Sequence, residues 1–233
     1  MPSKPSPSKS LKQFADQSPG LFIEESSAEK AYAALFVELL AAESTPHDPE
    51  LFREECGRLV ITGKQPVTVE VSNGRFVGLR DYSAVVAGGN RLFGVVRDHY
   101  EKLLLQDGSV DRLIEMASEK PFSKKLYLST GHLRPDGKVP CLMYVWIRLD
   151  DSRVHLHAHW RGNDVFRKML MNLDLMAGLH RHIVERLGLA VGRYVHTSDS
   201  FHFYNEDCPE ILVAAQLLHS GQSAAAGTQL PIS

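Results

Sequence analysis

Between residues 28 and 42 the stretch AEKAYAALFVELLAA repeats its apolar positions every three and four residues. This spacing predicts an amphipathic helix, with Ser27 placed to cap it. Residues 66–79, PVTVEVSNGRFVGL, alternate instead and turn at Asn73-Gly74, which predicts a hairpin. Further helices are predicted over 91–106 and 109–119, the second ended by Pro121. KKLYLST (124–130) reads as a strand and GHLRPDGK as a loop rich in turn residues. The run CLMYVWIRLDDSRVHLHAHW (141–160) reads as two strands joined by a tight Asp150-Asp151-Ser152 turn. After it, Asp164 is expected to cap a long helix carried by Val165, Phe166, Met169, Leu173, Met176, Leu179 and Ile183, with Gly188 at its stop. Residues 189–204 predict one or two strands, and CPEILVAAQLL a closing helix. Helices and strands mix without regular βαβ alternation and without an internal repeat, so the fold class is α+β.

Composition narrows this picture. A chain of 233 residues with 43% hydrophobic content can bury one sizeable core, and no composition shift divides it. Residues 1–20 and 220–233 carry too few apolar side chains to offset ordering entropy, so they are expected to be a disordered segment and a flexible tail around a domain spanning 21–219. The formal charge of -2 argues against a surface built for nucleic-acid backbones and leaves room for a small anionic ligand. No apolar run reaches membrane-spanning length and the start MPSKPSPSKS lacks a secretory core, so neither a membrane partner nor secretion is expected. The expected location is the cytoplasm. Cys56, Cys141 and Cys208 are odd in number and far apart, which indicates neither a disulfide frame nor a zinc site.

Two features bear on chemistry. His155, His157 and His159 alternate and share one strand face, but they spread over roughly 13 Å and do not converge on one ion; a polar, half-buried face is the expected reading and no metal is expected. Cys141 follows Pro140 at the start of a strand, where a substrate can reach the thiol. A thiol becomes a strong nucleophile beside cations or donors, and Arg161 ends the paired strand in WRGND. Arg161 on its own also suits an ordinary surface strand end, and the planar guanidinium suits a phosphate.

In order, Pro140-Cys141, WRGND, Asn172 inside a helix and SFHFYNED resemble the C-terminal half of the thymidylate synthase family. That family has a Pro-Cys nucleophile, an Arg-Ser-x-Asp motif, an asparagine and an Asp-x-His-x-Tyr motif. Cys141, Arg161, Asn172 and His202 are successively 20, 11 and 30 residues apart, the family's spacing without a gap. IEMASEKPFSKKLYLST is similar to the family's helix, Pro-x-Ser-Arg-Arg and strand, with Lys124-Lys125 in place of the arginines, and GGNRLFG is a looser match. The resemblance runs from about residue 88 to 208. It implies a single domain with a mixed sheet packed by helices, a sheet-mediated homodimer, and sites shared across subunits. It implies that Cys141 adds to C6 of dUMP and that Arg161 holds the phosphate. Asn172 would read N3 and O4 of the base and count with Cys141 among the catalytic residues. His202 and Tyr204 would hold the 3'-hydroxyl, and Asp164 would contact the cofactor, 5,10-methylenetetrahydrofolate. Lys124 and Lys125 would reach the partner subunit's phosphate.

The sequence also departs from the family pattern. Leu142 stands where a histidine usually follows the nucleophile, Gly162 where a serine helps hold phosphate, and Lys168 where a glycine lets the ligands approach. The family shields its C5 methylene intermediate with a tryptophan in the N-terminal half, whereas the tryptophans here are Trp146 and Trp160. The end LPIS likewise lacks the family's closing tail. Capture of the intermediate by water is therefore expected, giving 5-hydroxymethyl-dUMP as in the related deoxynucleotide hydroxymethylases. Thymidylate is the alternative product, and a nucleotide-binding module without turnover is a third reading. Cytosine-specific hydroxymethylases carry aspartate at the position of Asn172, so dUMP is the expected substrate.

Overall fold

The computed structural model describes residues 20–43, 46, 48–63, 104, 108–131, 137 and 139–219. The predicted hairpin at 66–79, most of the predicted helix at 91–106, most of the GHLRPDGK loop, all but residue 20 of the segment expected over 1–20, and the tail expected over 220–233 lie outside the described residues.

In chain order the elements are β1 (Leu21–Glu25), α1 (Ala28–Ala41), β2 (Leu51–Ile61), α2 (Ser109–Glu119), β3 (Tyr127–Ser129), β4 (Leu142–Leu149), β5 (Arg153–Trp160), β6 (Asn163–Asp164), α3 (Met169–Leu187), β7 (Ala190–Tyr204) and α4 (Cys208–His219). The sheet runs β1-β2-β7-β5-β4-β3, with the two residues of β6 paired to β7 off this path. Antiparallel and parallel pairs mix: β4 with β5 is antiparallel, while β5 with β7 and β1 with β2 are parallel. This is an α+β architecture, as the element order predicts.

Local chemistry explains most boundaries. Ser27 accepts a hydrogen bond from the backbone N–H of Lys30 and caps α1 as expected. The β4–β5 turn is held by Asp150, whose Oδ1 accepts from the backbone N–H groups of Ser152 and Arg153 at 3.1 and 2.8 Å. Gly188 adopts φ 66° at the end of α3, a left-handed conformation that a side chain would disfavour. Met169, Leu173, Met176 and Ile183 form the fully buried stripe of α3. Phe36 of α1 meets Phe203 of β7 with ring centroids 4.8 Å apart.

Three expectations are corrected or sharpened. The helix after Asp164 starts at Met169 rather than beside it. Asp164 belongs to β6, and its Oδ1 accepts from the backbone N–H of Arg167 at 2.9 Å, closing a turn over 165–168 before the helix begins. The reason is tertiary: the backbone N–H of Val165 donates to His202 in β7 and holds this segment extended. Residues 190–204 form one strand, β7. Both β1 and β2, unforeseen in the sequence, complete one side of the sheet.

β7 changes its inward face partway along. Tyr194, His196 and Ser198 are buried, then Phe201 and Phe203. The switch coincides with an irregular register in which Glu55 pairs Phe201 but Gly57 pairs Ser198, so β7 holds one residue more than β2 between these pairs. Such a bulge reverses which alternate side chains face the core.

On the face opposite the core, His155, His157 and His159 are partly buried, as the alternation predicts. His159 stacks on Tyr144 and His157 lies against Trp146. With Arg58, Arg148 and Arg193 they line a groove of about 1050 Å³. Burial together with these cationic neighbours pushes His157 down to about 4.

Candidate active site

Strand pairing brings Cys141 and Arg161 together. Leu142, the first residue of β4, pairs with Trp160, the last of β5, and both are fully buried. The residues just outside this pair are Cys141 and Arg161, and the backbone N–H of Arg161 donates to the Cys141 carbonyl at 2.9 Å. The start of β4 is fixed from its other side, where the Thr130 hydroxyl donates to the Leu142 carbonyl and the N–H groups of Thr130 and Gly131 donate to Met143. The half-buried thiol thus sits on a rigid strand end. The Arg161 guanidinium is exposed and donates to the Val139 carbonyl at 3.3 Å, leaving further donors in its fork.

Beside this pair lies the end of β7. A Cβ on Gly162 would stand 3.6 Å from Cε1 of His202, so the WRGND turn packs directly against that ring. β6 sets Asp164 in register with His202, and the His202 and Tyr204 rings meet edge-on at 5.2 Å. Burial raises the Tyr204 phenol, and Asp164 and Cys141 are among the groups whose negative charge adds to the effect. Cys141, Arg161, Asp164, His202 and Tyr204 therefore converge at one end of the sheet.

Hydrogen bonding fixes the tautomer of His202. Ser200 Oγ donates to Oε1 of Glu54 at 2.7 Å, because a carboxylate only accepts. The same oxygen, 3.0 Å from Nδ1 of His202, then accepts from it. Burial lowers the His202 pKa, which keeps the ring neutral and leaves Nε2 as a hydrogen-bond acceptor. Asp164 is 5% exposed, and burial raises its carboxyl above the ordinary range. Its Oδ1 is occupied by the Arg167 N–H, while its buried Oδ2 has no hydrogen-bond partner among the described residues. Arg167 in turn bonds Asp207 and pairs with Glu206 at 2.9 Å, tying the Asp164 turn to the start of α4.

Asn172 lies one turn into α3 and is buried. Its Nδ2 donates to Oδ1 of Asn163 at 2.7 Å, and Nδ2 of Asn163 donates to Ser198 Oγ at 3.3 Å. Neither Asn163 nor Ser198 was singled out by sequence reasoning, nor were Ser200 and Glu54. Asn163 sits inside WRGND beside the chosen residues, but the sequence holds no signal that pairs it with Ser198.

Lys124 and Lys125 stand apart from this group. Both are exposed in the turn before β3, and Leu126 bonds the backbone of Ile147 at the far end of β4 from Cys141. Counting the intervening residues at a strand's rise places the lysines roughly 20 Å from the thiol. Lys168 is exposed at the N-terminus of α3, where its charge acts on both Asp164 and His202. Among the described residues no group of three or more His, Cys, Asp or Glu side chains is placed to hold a metal ion.

No family model matches the chain. It is 29% identical over 106 residues to a putative thymidylate synthase of Methanopyrus kandleri, covering 44% of this chain and 51% of that protein. The thymidylate synthase of Oenococcus oeni is 27% identical over 134 residues, 52% of this chain and 42% of that protein. A putative thymidylate synthase of Methanosarcina mazei is 26% identical over 135 residues, with 55% and 62% covered. The chain thus spans about half the length of these relatives. Among solved structures, thymidylate synthase from T4 phage matches with a TM-score of 0.41 and 21% identity, over 48% of this chain and 42% of that one.

Proposed function

Starting from its kinship with the thymidylate synthase family, we propose that this protein transfers a one-carbon unit from 5,10-methylenetetrahydrofolate to C5 of dUMP. The observation that carries the reading is the convergence of Cys141, Arg161, Asp164, His202 and Tyr204 at one sheet end.

Each side chain has a task its surroundings suit. The Cys141 sulfur adds to C6 of the pyrimidine, turning C5 into an enolate carbon able to attack an electrophile. The Arg161 fork, already turned to the Val139 carbonyl beside Cys141, holds the phosphate. Neutral His202 offers Nε2 as acceptor to the sugar 3'-hydroxyl, with Tyr204 beside it. Asn172 keeps its Oδ1 and one N–H for the base.

Asp164 fits the folate. Its buried Oδ2, without a partner among the described residues, is an acceptor that the N–H groups of a pterin would satisfy. When bound, methylenetetrahydrofolate supplies the one-carbon unit at the formaldehyde oxidation level. The preferred product is 5-hydroxymethyl-dUMP, in which water completes the new carbon. Trp160 is packed against His196 in the core and Trp146 against His157 on the open face, so neither indole is available to shield that carbon. Thymidylate, formed by hydride transfer, is the alternative. Leu142 and Gly162 motivate a binding protein without turnover, against which the intact thiol of Cys141 speaks.

The working unit in this reading is a homodimer joined through the open sheet face. Lys124 and Lys125, too far from their own Cys141 to share its ligand, reach the phosphate in the partner subunit. The proposed location is the cytoplasm; among the described residues no helix is long and apolar enough to cross a membrane.

Tritium release from 5-tritiated dUMP in the presence of methylenetetrahydrofolate tests the proposal, and identification of the nucleotide product separates water capture from hydride transfer. Absence of release by a folded protein would sink the enzymatic reading.

A further inference from the structure

The side chains behind Asn172 form a chain of hydrogen bonds whose direction is dictated from one end. The Ser200 carbonyl can only accept, and Ser198 Oγ lies 3.0 Å from it, so the Ser198 hydroxyl hydrogen is committed there. The Ser200 backbone N–H can only donate, and it reaches the same oxygen at 3.3 Å. Ser198 Oγ therefore meets Asn163 as an acceptor, and Asn163 must present its nitrogen, Nδ2. A planar amide that turns its nitrogen one way turns its oxygen the other. Oδ1 of Asn163 thus faces Asn172 and takes a hydrogen from Asn172 Nδ2 at 2.7 Å. Reversing Asn172 would set two amide oxygens against each other at that distance. Asn163 and Ser198 are each 1% exposed and Asn172 is 6% exposed, so water cannot replace a lost partner.

We infer that Asn163 and Ser198 are positioning residues that select uracil over cytosine by locking the Asn172 amide in one orientation. This inference rests on the reading of Asn172 as the contact to the base. Uracil presents a donor at N3 and an acceptor at O4; cytosine presents an acceptor at N3 and a donor at its 4-amino group. An amide offers the matching pair in either order, and a half-turn about its last bond exchanges them. Asn172 alone would serve both bases. Locked by a backbone carbonyl three bonds away, it serves one. The amide thereby gains a selectivity that its own composition lacks, and a site whose polar groups are mispaired rejects the wrong ligand strongly.

The test uses the full chain and the variants Ser198→Ala and Ser198→Thr. Two quantities are measured: the Kd values of dUMP and dCMP by calorimetry, and the exchange of the Asn172 side-chain amide hydrogens in ¹⁵N-labelled protein. Ser198→Ala removes the acceptor that orients Asn163. It should speed exchange and reduce the preference for dUMP over dCMP by about tenfold or more. Ser198→Thr keeps the hydroxyl and should keep the preference even if it costs some stability. Unchanged preference in folded Ser198→Ala, or equal losses for both nucleotides, would overturn the selectivity role. If the wild type bound neither nucleotide while exchange still responded to Ser198→Ala, the lock would stand and the reading of Asn172 as a base contact would fall.

Discussion

The backbone N–H of Arg161 donates to the carbonyl of Cys141 at 2.9 Å, so a candidate nucleophile and a permanent cation leave neighbouring strand ends on the same rigid ladder. The fully buried Leu142–Trp160 pair sits immediately behind them and fixes that spacing. Apolar packing here sets the distance between two polar side chains.

Replacing Cys141 tests the centre of the proposal. Cys141→Ser preserves volume but offers a far weaker nucleophile, so tritium release should fall by about a thousandfold or more while dUMP binding changes only a few fold. Cys56→Ser and Cys208→Ser should retain activity. Normal turnover by Cys141→Ser would exclude the covalent mechanism.

A shared site predicts complementation. When Cys141→Ser subunits are mixed equally with Lys124→Ala/Lys125→Ala subunits and allowed to exchange, half of the dimers become hybrids, each with one native site. About a quarter of the wild-type rate should return. The rate is followed together with subunit exchange by mass; exchange without recovery counts against lysines supplied across the dimer.

Gly162 leaves space that a side chain can use. A Cβ there would make only ordinary contact with His202 Cε1 at 3.6 Å and the Ser200 carbonyl at 3.9 Å. Gly162→Ser should therefore fold normally and place a hydroxyl beside the phosphate site proposed at Arg161, tightening dUMP binding by about fivefold. Calorimetry with dUMP and with deoxyuridine isolates the phosphate contribution. Equal gains for both ligands would mean that position 162 does not face the phosphate.

Changing the proposed base contact should change the base. A protonated aspartate at position 172, in a chain that also carries Ser198→Ala so that Asn163 is free to turn its nitrogen towards it, donates to cytosine N3 and accepts from its amine, reversing the pattern that the asparagine offers uracil. Each mispaired buried group costs about 1–3 kcal/mol, so Asn172→Asp in that chain should shift relative kcat/KM from dUMP towards dCMP by a factor on the order of a hundred. An unchanged ratio in an active variant would show that Asn172 does not read the base.

Acid should weaken the fold through His196. Its ring is fully buried, stacked between Trp160 and Phe201 and held by the Tyr194 hydroxyl, and burial pushes it from 6.5 down to about 3. Because the folded pKa is depressed, the unfolded chain binds the extra proton as pH drops below 6.5, and the folded chain resists it until about 3. Stability is thus greatest above 6.5 and declines by about 3 kcal/mol by pH 4 from this residue alone. Urea unfolding at pH 7 and pH 4.5 should show the decline, and His196→Phe should flatten it. A pH slope unaltered in that variant would assign acid sensitivity elsewhere.

How much of this was legible in sequence depended on the range of the interaction. The β4–β5 hairpin was readable because its alternation and Asp150 turn lie within twenty consecutive residues. β1 and β2 were not, since Arg53, Glu54 and Glu55 interrupt the alternation of β2 for reasons that exist only across the sheet. Glu54 receives the Ser200 hydroxyl from 146 residues away. Asp164 was misread as the cap of a long helix because that composition is common to caps and turns; the bond from Val165 to His202 decides between them. The spacing of Cys141, Arg161, Asn172 and His202 pointed to these positions through a resemblance. It could not reveal Asn163 or Ser198, whose roles come from a bond 35 residues long in sequence.

The extra residue in β7 has a consequence for what the gene can tolerate. From Tyr194 to Ser198 the even-numbered side chains are the most deeply buried ones, and past the irregularity Phe201 and Phe203 take that place. Deleting Asp199 would leave a strand of ordinary length and composition, yet it would exchange the roles of its two ends. Histidine and tyrosine would be driven into the hydrocarbon interior, while two phenylalanines would be handed to the solvent-facing rim of the proposed site. Point substitutions at this position leave the parity untouched. Insertions and deletions of one residue reverse that parity, and those of two residues keep it.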